Sequence, residues 1–284
     1  MAIAVTGATG QLGGLAIEEL LKTQPADTVV AVVRDAGKAE SLAAKGVQVR
    51  VADYTDRAAL EAAFAGVDRV LLISGSEVGQ RVPQHQNVID AAKAAGVQRV
   101  VYTSAPKATD TDLILAPEHK ATEEYLVASG LDYTIVRNNW YTENYVNQLN
   151  AAMATGTVVT AGGEGRIASA TRADLAEGAV AVLLDDAHRG KVYEFGGDHS
   201  WTYHELADTI GDIIGRPVSY QPVDADALVG ILTGNGLDEG TASFVAALDT
   251  NTAAGALDVQ TGDLSRVLGR PTTSLKEGLE AARA

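Results

Sequence analysis

Eight residues near the start, Thr6-Gly7-Ala8-Thr9-Gly10-Gln11-Leu12-Gly13, carry glycines spaced G-x-x-G-x-x-G. They follow the apolar run Ile3-Ala4-Val5 and open a helical pattern from Leu12 to Leu21. Such a loop brings backbone N–H groups and a helix N-terminus against a pyrophosphate. The first glycines allow the tight turn and close backbone approach, and the last lets helix and strand pack. Glycines also mark plain turns; the placement between strand and helix separates the two readings. Arg34 stands 21 residues beyond Gly13, at the end of the second apolar run. An acidic residue at that distance binds the ribose 2′-OH of NAD, whereas a guanidinium there can pair a 2′-phosphate. Arg34, with Lys38 one turn further, therefore points to NADPH. Asp35 weakens that charge, and a solvated surface arginine is the competing reading.

Candidates for moving a proton are fewer. Short-chain dehydrogenases commonly use Tyr-x-x-x-Lys, but none of the nine tyrosines has a lysine four residues on. Tyr133-x-x-x-Arg137 comes closest and lies on a predicted strand, where that spacing does not make one turn. His119-x-x-x-Glu123 falls on one face of a predicted helix. Glu123 is expected to raise the pKa of His119 by favouring the imidazolium, giving a possible acid or orienting group. A plain surface pair is equally compatible. The other histidines, His85, His188, His199 and His204, show no metal-ligand spacing. Polar segments also end several predicted strands: Ser74-Gly75-Ser76, Thr103-Ser104, and Arg137 through Asn144. Asn138 and Asn139 can polarise an oxygen. Trp140, Tyr141 and Tyr145 are notable in a chain only 5% aromatic; they suit either a flat ligand or a packing cluster.

The elements that must hold these residues read as alternating strands and helices. Runs at Val29–Val33, Val47–Val51, Val70–Ile73, Val100–Thr103 and Tyr133–Val136 follow the first strand. Helical stretches, among them Leu60–Phe64, Val88–Gly96 and Lys120–Ser129, separate them. The pattern predicts an α/β fold: a Rossmann-type, doubly wound parallel sheet with helices on both faces. After about residue 150 the strands shorten (Thr157–Thr160, Val192–Phe195, Val218–Gln221). Thr202/Glu205 and Ser274/Glu277 form capping-box patterns, and Gly230–Gly240 reads as a mobile, glycine-rich segment. The organisation expected is residues 1–150 as the NADP-binding domain, able to recruit later segments, and 151–284 as a smaller substrate-cleft domain.

Composition narrows the function classes. The chain has 284 residues, no cysteine and a formal net charge of −15. Without cysteine there are no disulfides, thiolate metal sites or thiol nucleophiles. The acidic balance opposes nucleic-acid binding, which draws its affinity from cations on phosphates. No apolar run approaches the length of a membrane span, and Met1 leads directly into a strand pattern, so a cytoplasmic protein is expected. Residues 1–150 carry a net −5 and residues 151–284 a net −10, which favours a neutral substrate in the second half.

Taken together, Val5 through Gly13, Ala31–Arg34, Leu72–Arg81, Pro83–His85, Ala91–Val97, Glu118-His119, Arg137-Asn138, Trp140-Tyr141, Glu143–Tyr145 and Ile167–Asp174 resemble the NmrA-like atypical short-chain dehydrogenases. Within that group the resemblance is to bacterial NAD(P)H:quinone oxidoreductases of type 2, with triphenylmethane reductases as relatives. It runs nearly end to end, while Asn139, where the quinone reductases carry a smaller residue, Pro106–Asp110 and Gly230–Gly240 depart from it and leave the acceptor open. The resemblance implies an NADPH domain followed by a small C-terminal domain. It also implies cofactor contacts at Gly7, Ala8, Thr9, Gly10, Gln11, Leu12, Arg34, Ser74, Gly75, Ser76, Asn138, Asn139, Trp140, Tyr141, Thr142 and Glu143, with Ser169 nearby.

The missing tyrosine suits such chemistry. A quinone that accepts hydride becomes a resonance-stabilised anion, so no strong acid is needed in the transition state. The expected protein is an NADPH-dependent reductase of a small, neutral, planar acceptor such as a quinone, acting as monomer or homodimer. Two alternatives stay open: a non-catalytic NADP-binding redox sensor, and a carbonyl, imine or dye reductase using His119 as acid.

Overall fold

The computed structural model describes residues 1–283. In chain order the strands and helices are β1 (Ile3–Thr6), α1 (Gln11–Leu21), β2 (Val29–Val33), α2 (Glu40–Ala44), β3 (Gln48–Val51), α3 (Arg57–Ala63), β4 (Arg69–Leu72), α4 (Arg81–Ala94), β5 (Arg99–Ser104), α5 (Ala116–Ala128) and β6 (Asp132–Asn138). There follow α6 (Val146–Thr155), β7 (Thr157–Thr160), β8 (Arg166–Ile167), α7 (Arg172–Leu184), β9 (Lys191–Phe195), β10 (Trp201–Thr202), α8 (Tyr203–Ile214), β11 (Ser219–Pro222), α9 (Ala225–Gly234), α10 (Glu239–Ala253), α11 (Asp263–Leu268) and α12 (Leu275–Arg283).

Seven strands form the main sheet in the order β3-β2-β1-β4-β5-β6-β9. The first six pair in parallel, with Val5 opposite both Ala31 and Leu71. Every residue of β2 is buried, as a β-branched run covered on both faces requires. One set of alternating side chains (Ala4, Val30, Val70, Val100, Ile135) packs with Leu60, Val88, Ile89 and Leu126 from α3, α4 and α5. The other set faces α1 and α7, which pack against one another. The strand order reverses between β1 and β4. In open α/β sheets, ligands bind outside the carboxyl ends of the strands at such a switch point.

The chain folds into two compact units. The first comprises residues 1–109, 115–138 and 172–193, and the second residues 110–114, 139–171 and 194–284. The chain thus passes between units several times, whereas the sequence reading places one boundary at 150. Helix α7 and most of β9 serve the first unit. Val192–Phe195, read from sequence as a strand of the smaller half, lies in the edge strand of the main sheet. Its partner β6 is far away in sequence, so periodicity gives no hint of the pairing.

The second unit contains two small two-stranded sheets, β10–β8 and β11–β7, with helices around them. Both predicted capping boxes are present. Thr202 Oγ1 accepts the Glu205 amide at 3.2 Å and Ser274 Oγ accepts that of Glu277 at 3.3 Å. The glycine-rich segment is a correction. Gly230 and Gly234 lie inside α9, and α10 begins at Glu239, where Asp238 caps it through the Thr241 amide at 2.9 Å. Leu228 and Ala242 supply the buried contacts that hold these helices despite their glycines. Among the described residues, no helix is long and apolar enough to cross a membrane.

Candidate functional site

The carboxyl ends of β1, β2, β3 and β4 enclose a cavity of about 390 Å³ in the first unit. Gly7, Thr9 and Gly10 form one side, and Arg34 and Lys38 stand after β2. Asp53 and Tyr54 come from the end of β3, and Ile73 through Glu77 from the end of β4. Gly7 adopts φ +59°, a left-handed conformation that glycine takes without steric cost. The Gly10 amide turns back onto Gly7 O at 2.9 Å. Gly13 admits no side chain, since a Cβ there would meet Gly7 O at 2.3 Å and Ala8 Cα at 2.9 Å. This is a backbone cradle at the start of a helix, which suits a pyrophosphate.

The floor of the cavity is tied together by Tyr54. Its hydroxyl lies 2.5 Å from Thr6 Oγ1 and 2.8 Å from Ile73 O, bridging β1 and β4. Burial pushes its pKa up, so it stays a neutral donor. Beside it, Asp53 accepts the amide and hydroxyl of Thr55 at 2.8 and 2.6 Å. These bonds hold its carboxyl below the usual range.

The segment after β4 is fixed on several sides. The Ser74 amide donates to Thr103 Oγ1 at 2.9 Å, and the Gly75 amide donates to His85 Nε2 at 2.9 Å. Arg81 Nε donates to Gly75 O at 2.6 Å. Glu118 accepts the amides of Gly79 and Arg81 at 3.0 and 3.2 Å. Glu77 is gripped at both oxygens, by Arg34 at 3.1 Å and by Gln84 Nε2 at 2.9 Å. A loop that carries no regular structure is thereby held in one shape against the cavity.

The comparisons with known proteins meet this geometry. Residues 7–186 match the model of the NAD(P)H-binding family. The chain belongs to that family. Quinone oxidoreductase 2 of Escherichia coli K12 is 49% identical over 277 residues, which is 98% of this chain and 97% of that protein. The Escherichia coli NADPH-dependent quinone oxidoreductase solved with NADPH superposes with a TM-score of 0.96 at 48% identity, covering 99% and 100% of the two chains. Citrobacter triphenylmethane reductase complexed with NADP(H) gives 0.96 at 38% identity, again over 99% and 100%. In this family member, Gly7, Thr9, Gly10, Arg34, Ser74, Gly75 and Ser76 of the expected cofactor residues line this one cavity. Ala8 and Leu12 are buried instead, and Gln11 is exposed at the first position of α1.

The proposed proton donor is corrected. His119 is buried, its Nδ1 2.8 Å from the Tyr102 hydroxyl. Burial, with Arg81 and His85 nearby, pushes its pKa down to about 3, the reverse of the expected rise. Glu123 does not face it electrostatically. Its carboxylate takes Ser104 Oγ at 2.6 Å and Arg137 at 2.9 and 2.7 Å. Both helix positions point at the sheet, but each finds its own partner on β5 or β6.

Asn138 ends β6 with 6% exposure, and neither its Oδ1 nor its Nδ2 has a hydrogen-bond partner. Arg137 reaches α5, so alternation puts Asn138 on the opposite face of the sheet. An orphaned buried amide is costly and calls for a ligand or an ordered water. Together with the glycine cradle, it fits a bound dinucleotide.

The remaining expected residues belong to the second unit. Asn139 is structurally engaged: its Nδ2 donates to Leu257 O at 3.1 Å and its Oδ1 accepts the Trp140 amide at 2.7 Å. Thr142 Oγ1 lies 2.9 Å from Ser169 Oγ, which also accepts from Trp201 Nε1 at 2.9 Å. Tyr145 is buried edge-on against Trp201, ring centroids 4.7 Å apart. Trp140, Tyr141 and Glu143 are half-buried. Ser169 and Trp201 line a separate cavity of about 340 Å³.

Sequence reasoning missed Asp53, Tyr54, Ile73, Glu77 and Gln84. Asp53 and Tyr54 were detectable in principle as the polar residues ending the third strand. Glu77 and Gln84 lie in segments that share the family resemblance, but no local pattern marks them as cavity residues, because a loop and the start of α4 deliver them.

Proposed function

We propose that this protein is an NADPH-dependent reductase of quinone-like acceptors. The observation that carries the reading is the 49% identity to Escherichia coli quinone oxidoreductase 2 across 98% of the chain. The geometry supports it residue by residue. The Gly7–Gly13 cradle and the α1 N-terminus would hold the pyrophosphate, and Arg34 would pair with the 2′-phosphate. Tyr54, Ile73 and the clamped Ser74–Ser76 segment shape the wall between them.

NADPH, when bound, supplies the hydride. The chain's part is to fix the position of the two reactants and to exclude water. Asn138 is the polar group we assign to the reacting end, because its amide is buried, unpartnered and at the carboxyl edge of the sheet. It can donate from Nδ2 to an acceptor oxygen on which negative charge grows. His119 is held neutral and bonded to Tyr102, so it is not an acid at pH 7. The final proton comes from water, which a delocalised hydroquinone anion tolerates.

A dye-reducing activity is the second reading, favoured by the 38% identity to triphenylmethane reductase. One assay separates them: NADPH oxidation followed over a panel of benzoquinones, naphthoquinones and a triphenylmethane dye. Saturable turnover of quinones is expected. Tight NADPH binding with no turnover of any quinone overturns the proposal.

A further inference from the structure

Arg34 is not an open anion site. Its Nη1 lies 3.1 Å from Glu77 Oε1, across the cavity that both residues line. The two come from different walls, Arg34 after β2 and Glu77 after β4, on either side of β1. Glu77 is aimed rather than loose. Gln84 Nε2 holds its second oxygen at 2.9 Å, and His85 and Arg81 clamp Gly75 two residues earlier at 2.9 and 2.6 Å. A carboxylate so held is positioned beside the Arg34 guanidinium.

We propose that Glu77 sets coenzyme preference by competing inside the molecule for Arg34. The inference rests on reading Arg34 as the contact of the 2′-phosphate. A phosphate seeks the same fork of guanidinium N–H groups as a carboxylate does. Both are anions, so they cannot share that fork without repelling each other. NADPH therefore competes with Glu77 for Arg34, whereas NADH leaves the ion pair in place. Glu77 weakens NADPH selectively and narrows the discrimination that Arg34 alone would give. The partners are 68% and 51% exposed at their side chains, so the competition is modest and sensitive to salt.

The test measures dissociation constants of NADPH and NADH by calorimetry, without turnover, for the wild type, Glu77→Gln, Arg34→Ala and the double variant. Glutamine keeps the size of Glu77 and removes its charge. At low salt, Glu77→Gln is expected to raise the preference for NADPH over NADH about two- to fivefold. The gain shrinks at about 0.5 M salt and vanishes in the Arg34→Ala background. An unchanged or reduced preference, or a gain that persists without Arg34, overturns the inference. So does a loss of affinity for both coenzymes, which would make the ion pair a clasp over bound nucleotide. If Arg34→Ala leaves the preference unchanged, the reading of Arg34 fails and the inference with it. If Arg34→Ala lowers the preference while Glu77→Gln does nothing, only the inference fails.

Discussion

The amide of Gly75 donates its hydrogen bond to Nε2 of His85 at 2.9 Å. This fixes the tautomer. Nε2 accepts, so Nδ1 carries the proton and donates to Thr122 Oγ1 at 3.0 Å, which in turn donates to Glu118 O at 2.8 Å. A buried, neutral imidazole thus joins the loop after β4 to α5. It connects a packing interaction to the wall of the nucleotide cavity.

Replacing His85 by Phe keeps a ring and removes the acceptor. The Gly75 amide then loses its partner, which costs on the order of 1–3 kcal/mol if it stays buried. We expect the loop to relax, the NADPH dissociation constant to rise about tenfold and the melting temperature to fall. Calorimetric titration and thermal unfolding measure both. An NADPH affinity equal to that of the wild type would show that the clamp does not shape the site.

Acid should destabilise the protein through its buried histidines. Burial pushes His85 down to about 4 and His119 down to about 3, below the unfolded value near 6.5. Between those values the unfolded chain binds more protons than the folded one, so stability falls as pH falls. Their contribution is complete above about pH 6.5 and is lost progressively towards pH 4 and below. Urea unfolding from pH 7 to pH 4 should show this slope. It should flatten in His85→Phe, and flatten further when His119 is also replaced by Asn.

His119→Asn alone separates packing from chemistry. Quinone turnover is expected to stay within about threefold of the wild type, since a neutral His119 donates no proton in the reaction. Stability should drop because the Tyr102 hydroxyl loses its 2.8 Å partner. A kcat reduced about a hundredfold or more, with NADPH binding intact, would restore His119 as an acid.

Gly13→Ala tests the cradle. The added methyl would lie 2.3 Å from Gly7 O and 2.9 Å from Ala8 Cα, both backbone atoms that cannot swing aside. The loop must open to admit it. NADPH affinity is expected to fall at least a hundredfold, roughly 3 kcal/mol. Gly14→Ala is the control, for its Cβ would meet nothing closer than Ala8 O at 3.9 Å.

The pair Arg137–Glu123 is structural. Glu123 is 4% exposed and its carboxylate is bonded to Arg137 through two guanidinium nitrogens. Arg137→Met leaves a buried carboxylate unpaired, at a cost of about 3–5 kcal/mol. Glu123→Gln should cost less on that carboxylate side, because the amide still accepts. Denaturant midpoints of both variants give the order.

The local chemistry of the first half was legible in the sequence. A β-branched run such as Val29–Val33 reads as a strand covered on both faces, and glycines placed between strand and helix favour a phosphate-binding turn over a plain one. Those features depend on near neighbours in the chain, through backbone sterics and the period of burial. Arg34 was legible for the same reason, as the residue ending a strand. What tertiary structure alone decided is which distant groups meet. Val192–Phe195 joins the main sheet because β6 offers it an edge, a matter of pairing and not of periodicity. His119 and Glu123 do share a helix face, yet the sheet beneath supplies Tyr102 to one and Arg137 to the other. Burial then lowers the histidine pKa where helical spacing alone suggested a rise. Glu77 meets Arg34 only because β2 and β4 flank β1, so no local pattern in the sequence could announce that one of the cavity's cations is already opposed by an anion.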